Sequence, residues 1–238
     1  INKPTYEEIL ESLRPFISTY MRRNQFNLNM CLSVIFRGDP GDGKTYNGKH
    51  MASWAAHLLG LRYIEEEHTV FDKAAKLCPN FGALIDDMNA SHFRRDQNGG
   101  VGSVCQNILS EMDKPNCNRL FILTTNEEVS KENMDAAFFR PGRVQNIITF
   151  KRPDEELKGR IVDDIFSKLT ENNVTVDKDF SYGVKMFALD NDLSLAEVMR
   201  LRTLITTDII MEDKLGSPQS YIEKSKAFKV EAHNENNT

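Results

Sequence analysis

The octapeptide GDPGDGKT, Gly38 to Thr45, constrains this chain more than any other stretch. It follows the apolar run LSVIF and precedes YNGKHMASWAAHLL, which reads as a helix despite Gly48 and stops at Gly60. Gly38, Gly43, Lys44 and Thr45 meet the pattern G-x-x-x-x-G-K-[ST] between a strand and a helix, the context that the pattern requires. Glycines there let backbone N–H groups curl around a phosphate, and the helix N-terminus adds positive potential. Lys44 is placed to reach β/γ-phosphate oxygens, and Thr45 to offer its hydroxyl to Mg²⁺. The phosphate-holding stretch is therefore Gly38, Asp39, Pro40, Gly41, Asp42, Gly43, Lys44, Thr45 and Tyr46. Asp39 and Asp42 fall at variable positions, where side chains can point away and only the amides contribute.

About 40 residues later the apolar strand ALIDDMN ends in Asp86 and Asp87. That spacing suits an acid that holds Mg²⁺, a role that falls to Asp86 beside Thr45. Strand and helix patterns alternate throughout the first part of the chain: LRYIEE, FGALID, RLFILTTN and VQNIITF read as strands, whereas TVFDKAAKLC, VGSVCQNILSEMD and NMDAAFF read as helices. This alternation favours a parallel sheet between helical layers. TYEEILESLRPFISTYMRR leads in as a helix with a kink or break expected at Pro15. Beyond Pro153 the patterning is almost only helical, in DEELKGRIVDDIFSKL, FSYGVKMFAL and SLAEVMRLRTLITTDIIMED. The expected organisation is an N-terminal helix and linker over 1–28, an α/β core over 29–152, a helical domain over 153–228 and a polar tail over 229–238.

A length of 238 residues, 40% hydrophobic and 27% charged, accommodates one α/β core and a small second domain. The net charge of −5 argues against a chain that wraps nucleic acid, which needs a surplus of lysine and arginine. Cys31, Cys78, Cys105 and Cys117 are spaced singly, so neither a zinc site nor a disulfide framework is indicated; reduced, mostly buried thiols are expected. His50 and His57 lie seven apart on one helix, too far along it to share a metal without a third ligand. No apolar run approaches the ~18 residues of a membrane span, and INKPTYEEIL lacks signal-peptide character. A cytoplasmic, reducing location is expected.

RLFILTTNEEVSKENMDAAFFRPGRVQNIITFKRPDEE closely resembles the AAA ATPase family, in which a strand ends in TTN or ATN and a short helix carries D-x-A-hydrophobic-hydrophobic-R-P-G-R. The resemblance runs from about Leu32 to Leu169, with the motifs in family order. In wording, FILTTN and S-x-A-E-V are nearest to the branch containing the mitochondrial Rieske-protein translocase. The resemblance implies a P-loop NTPase fold, with a three-layer parallel-sheet α/β core followed by a small all-helical lid domain. It implies that Asn126 senses the γ-phosphate and orients the lytic water, that Arg140 and Arg143 are arginine fingers reaching a neighbouring subunit's ATP, and that Asp135 is the acid opening the short helix before them. Fingers offered in trans imply a homo-oligomeric ring, most often a hexamer.

Some positions depart from the family pattern. Asp87 stands where the water-polarising residue is usually glutamate, one methylene longer, so turnover is expected to be slow unless the loop compensates. RYIEEEHTVFDK lacks the aromatic-hydrophobic-glycine pore tripeptide; Tyr63 and Phe71 are its nearest aromatics and read as core. Ala196 occupies the area of the sensor-2 arginine, while Arg200 and Arg202 come a turn later and read as solvated or lid-packing. The expectation is a Mg-ATP-binding, AAA-type ATPase coupling hydrolysis in a ring to remodelling of a macromolecule, most naturally a protein. Two alternatives are a nucleotide-gated assembly or regulatory module with weak or no turnover, and a DNA-acting relative disfavoured by the acidic balance and the RPGR form.

Overall fold

Five short runs, four of them rich in Ile, Leu, Phe and Val, pair side by side into one parallel sheet: β1 Cys31–Arg37, β2 Arg62–Glu66, β3 Phe81–Met88, β4 Arg119–Thr125 and β5 Val144–Thr149, in the order β2-β3-β4-β1-β5. The computed structural model describes residues 3–22, 31–66, 78–94, 104–114, 117–130, 134–140, 142–211 and 215–226. The predicted helix TVFDKAAKLC, apart from Cys78 and including Phe71, lies outside the described residues, as does the tail over 229–238.

The continuous apolar runs of β1, β3 and β4 follow from burial on both faces, and the two-residue period of a strand divides their side chains. Leu32, Val34 and Phe36 of β1, Leu84 of β3, and Leu120 and Ile122 of β4 face one side. There they meet α1 (Lys3–Met21) through Ile9 and Leu13, and α2 (Lys44–Leu58) through Met51, Ala52, Ala55 and Ala56. Ile35, Phe81, Ala83, Ile85, Phe121 and Leu123 face the other side, against Cys105, Ile108, Leu109 and Met112 of α3 (Val104–Met112) and Phe138 of the 3-10 turn Ala136–Phe139.

Gly48, in the interior of α2, is explained by close approach. A Cβ there would lie 2.9 Å from Leu84 Cδ1, so the missing side chain lets the helix settle on the sheet. The break expected at Pro15 does not occur: α1 runs through it. Pro15 is exposed while Ile9 and Leu13 are buried, so the Glu11 carbonyl that loses its helical donor faces water.

Chain contacts divide the protein into two units, residues 1–39 with 43–150, and residues 151–238 with 40–42. The second is helical: α4 Glu155–Glu171, α5 Lys178–Asp190, α6 Leu195–Ile210 and α7 Pro218–Lys226. Val162, Ile165 and Leu169 of α4, Val184 and Ala188 of α5, Val198, Leu201 and Ile205 of α6, and Tyr221 and Ile222 of α7 form its core at helical spacing. Side-chain caps start its first three helices: Asp154 accepts from Leu157 N–H at 2.7 Å, Asp177 from Asp179 N–H at 2.8 Å, and Ser194 pairs with Glu197 in a capping box. The fourth helix, α7, was not expected from the sequence.

Candidate functional site

The loop after β1 enters α2 through Gly43, whose φ of 88° lies in the left-handed region where glycine is unstrained. Gly43 has no side chain to cap α2, and the first N–H groups of any helix lack intrahelical acceptors. Lys44 is buried, and its Nζ donates to Gly38 O at 2.9 Å and Asp39 O at 2.8 Å, bridging the loop's own carbonyls. An uncapped helix N-terminus beside a lysine ammonium has the donor set that suits a polyphosphate. Asp39 is exposed and Asp42 is buried. Residues 40–42 group with the helical unit, where Ala196 N–H, near the start of α6, donates to Gly41 O at 2.9 Å. Tyr46 is exposed, with its ring edge-on to His50 at 4.5 Å.

The two acids lie at an irregularity in the sheet. Ile85 pairs with Leu123 and Met88 with Thr125, so Asp86 and Asp87 share the single partner position of Thr124. Two residues opposite one is a β-bulge, a device that re-aims side chains. Asp87 has a φ of 56°, a left-handed conformation that costs a non-glycine residue about 1–2 kcal/mol. Its N–H donates to Thr124 Oγ1 at 2.8 Å, and its Oδ1 accepts from Asn126 Nδ2 at 2.9 Å. Asp86 Oδ1 accepts from Thr45 Oγ1 at 2.9 Å and from Thr124 Oγ1 at 2.5 Å. Thr45, Asp86, Asp87 and Asn126, far apart in sequence, thus meet at the ends of α2, β3 and β4. A hydroxyl and a carboxylate side by side are hard oxygen donors that fit Mg²⁺, which takes one or two such ligands and completes its shell with water and phosphate.

Two residues that the sequence does not single out hold the expected site residues in place, Thr124 the two acids and Asp113 one of the arginines. The sequence marks Thr124 only as part of a strand ending in TTN, where a hydroxyl inside an apolar strand is its one signal. Asp113, at the end of α3, holds Arg143 by a two-pronged ion pair, Nε to Oδ1 at 2.9 Å and Nη2 to Oδ2, while Arg143 Nη1 donates to Ala137 O at 2.6 Å. Arg143, expected alongside Arg140 as a finger, is therefore buried and tied within its own chain. The hydrogen bond and nearby charge of Arg143 hold the Asp113 carboxyl below the usual carboxylate range. Arg140 is exposed. Asp135 caps the intervening 3-10 turn, accepting from Ala137 N–H at 2.7 Å.

Tyr63 packs partly buried against the core, its hydroxyl 3.5 Å from Glu65, and burial with that charge pushes its pKa up to about 12. His50, His57 and Arg202 are exposed, and Arg200 is half-buried. All four cysteines are free, but only Cys105 is fully buried; Cys31 is less so, yet burial still pushes its thiol up to about 12.

A parallel five-stranded sheet whose first strand leads through a glycine-rich lysine loop into an uncapped helix defines a P-loop nucleotide-binding protein. The sequence model of the ATPase family associated with various cellular activities (AAA) matches residues 34–152, and the chain belongs to that family. Over 221 residues, 85% of this chain, it is also 26% identical to the peroxisomal ATPase PEX6 of Saccharomyces cerevisiae. The chain spans only about a fifth of that relative's length. Among the described residues no helix is long and apolar enough to cross a membrane.

Proposed function

We propose that the chain is an ATP hydrolase of the AAA type, working in a homo-oligomeric ring to remodel a macromolecular substrate, a protein in preference to a nucleic acid. The observation that carries this reading is the convergence of Thr45, Asp86, Asp87 and Asn126 within hydrogen-bonding distance at the strand ends beside the glycine loop. Backbone amides of the loop and Lys44 hold the phosphates of ATP. Thr45 and Asp86 hold Mg²⁺, which when bound neutralises charge on the phosphate oxygens. Asp87, steadied by Asn126, accepts a proton from the attacking water. Arg140 is exposed and placed on a capped turn, as a residue offered to a neighbouring ATP site must be. Arg143 anchors that turn to Asp113 in the same chain.

The short carboxylate of Asp87 favours one second reading, a nucleotide-gated assembly module with weak turnover. Steady-state ATP hydrolysis against protein concentration separates the two. The enzyme reading expects turnover per chain to rise with assembly and Arg140→Ala to lower it about 10²–10³-fold without loss of ATP binding. ATP-dependent assembly without turnover selects the module instead.

A further inference from the structure

We propose that Thr124 is a positioning residue for hydrolysis, one hydroxyl that aims both acids of the site; this rests on the hydrolase reading above. The Thr124 side chain is 1% exposed on a fully buried strand, and a hydroxyl there needs partners. It has two. Because Oγ1 accepts the Asp87 N–H at 2.8 Å, its own proton is directed to Asp86 Oδ1 at 2.5 Å. Asp86 and Asp87 lie on the same bulge opposite Thr124, so this hydroxyl closes the bulge from the partner strand. Asp87 holds a left-handed backbone that persists only where its surroundings fix it, and the Thr124 bond fixes its amide while Asn126 fixes its carboxylate.

Rotamer and register make the arrangement rigid. The Thr124 Cγ2 lies 3.6 Å from where a Cβ on Gly48 would stand, so its methyl faces α2 and its hydroxyl faces the acids. The next residue completes the lock: Thr125 Oγ1 donates to Met88 O at 2.5 Å, just past the bulge. Three consecutive residues of β4 and its end therefore each hold one element of the β3 terminus: Thr124 the two acids, Thr125 the strand beyond them, Asn126 the Asp87 carboxylate. With aspartate at position 87, reach comes from the backbone turn rather than from side-chain length, and Thr124 sustains that turn. Both Thr45 and Thr124 donate to Asp86 Oδ1, which holds the carboxylate beside Thr45, where the two would hold a cation.

Thr124→Val removes the hydroxyl and keeps the shape; Thr124→Ser keeps the hydroxyl. The readouts are kcat and KM for ATP, the Mg²⁺ concentration dependence of fluorescent-nucleotide binding, and amide hydrogen exchange at Asp87. Expected for Thr124→Val are a fall in kcat of about 30-fold with KM within about threefold, a several-fold higher Mg²⁺ requirement and at least tenfold faster exchange at Asp87, with Thr124→Ser within about threefold of wild type in each. Wild-type exchange and Mg²⁺ dependence in Thr124→Val overturn the proposal, as does equal damage in Thr124→Ser. A wild-type chain that does not hydrolyse ATP defeats the hydrolase reading and with it the assignment of Thr124 to hydrolysis. The exchange and Mg²⁺ readouts then still show whether the hydroxyl aims the acids.

Discussion

Arg143→Ala removes a side chain that is 9% exposed and whose guanidinium makes three bonds, two to Asp113 and one to Ala137 O. Breaking a fully buried pair from one side costs about 3–5 kcal/mol, whereas an exposed pair contributes about 0–1 kcal/mol. The Asp113 side chain is 55% exposed, so water takes over much of its charge when the arginine is lost. The expected loss therefore lies between those limits, about 2 kcal/mol for Arg143→Ala and somewhat less for Asp113→Asn. The double-mutant coupling should be about 1 kcal/mol, read from urea unfolding at pH 7. Arg143→Lys should not restore stability, because an ammonium cannot make the planar fork. ATP turnover should fall in Arg143→Ala through displacement of the turn that carries Arg140. An Arg143→Ala chain that unfolds like wild type yet loses turnover as fully as Arg140→Ala would refute the anchoring role and make Arg143 a second finger.

The same pair carries a pH signature. Asp113 titrates lower in the folded chain than in the unfolded one, so its contribution is complete above about pH 4 and lost as pH falls through the depressed folded value; coupling to Arg143 that stays constant from pH 7 to pH 3 would contradict this. Gly48→Val should lower stability by about 1–3 kcal/mol, because a side chain there meets Leu84 Cδ1, and an unchanged urea midpoint would show that α2 can shift freely. Cys31, with its thiol pushed up to about 12, holds roughly 10³-fold less thiolate at pH 8 than an unperturbed cysteine. It should resist alkylation, followed by mass spectrometry, until the chain unfolds; labelling at the unfolded-chain rate would contradict its burial.

What was legible in the sequence was local or periodic. The glycine loop, the doubly buried strands and, among the described residues, three of the second unit's four helices each declare themselves within about ten residues, through apolar period or turn chemistry. What stayed hidden depended on partners distant in sequence. Arg140 and Arg143 look alike in FRPGR, and only Asp113, 30 residues away, separates one exposed arginine from one tied down. Thr124 shows its importance once the register places Asp86 and Asp87 opposite it. The last helix, PQSYIEKSK, offers few apolar residues; Tyr221 and Ile222 dock it through tertiary packing that no local pattern reveals. Whether Pro15 breaks α1 is hidden for a related reason, since its cost depends on which face of the helix meets water.

The most direct test of the central claim is the steady-state rate of ATP hydrolysis by the wild-type chain beside Lys44→Ala and Asp87→Asn, with nucleotide binding measured on all three. The account predicts clear wild-type turnover, loss of binding and turnover in Lys44→Ala, and retained binding with turnover down about 10²–10⁴-fold in Asp87→Asn. A wild-type rate no higher than that of Lys44→Ala, or full turnover in Asp87→Asn, would contradict it.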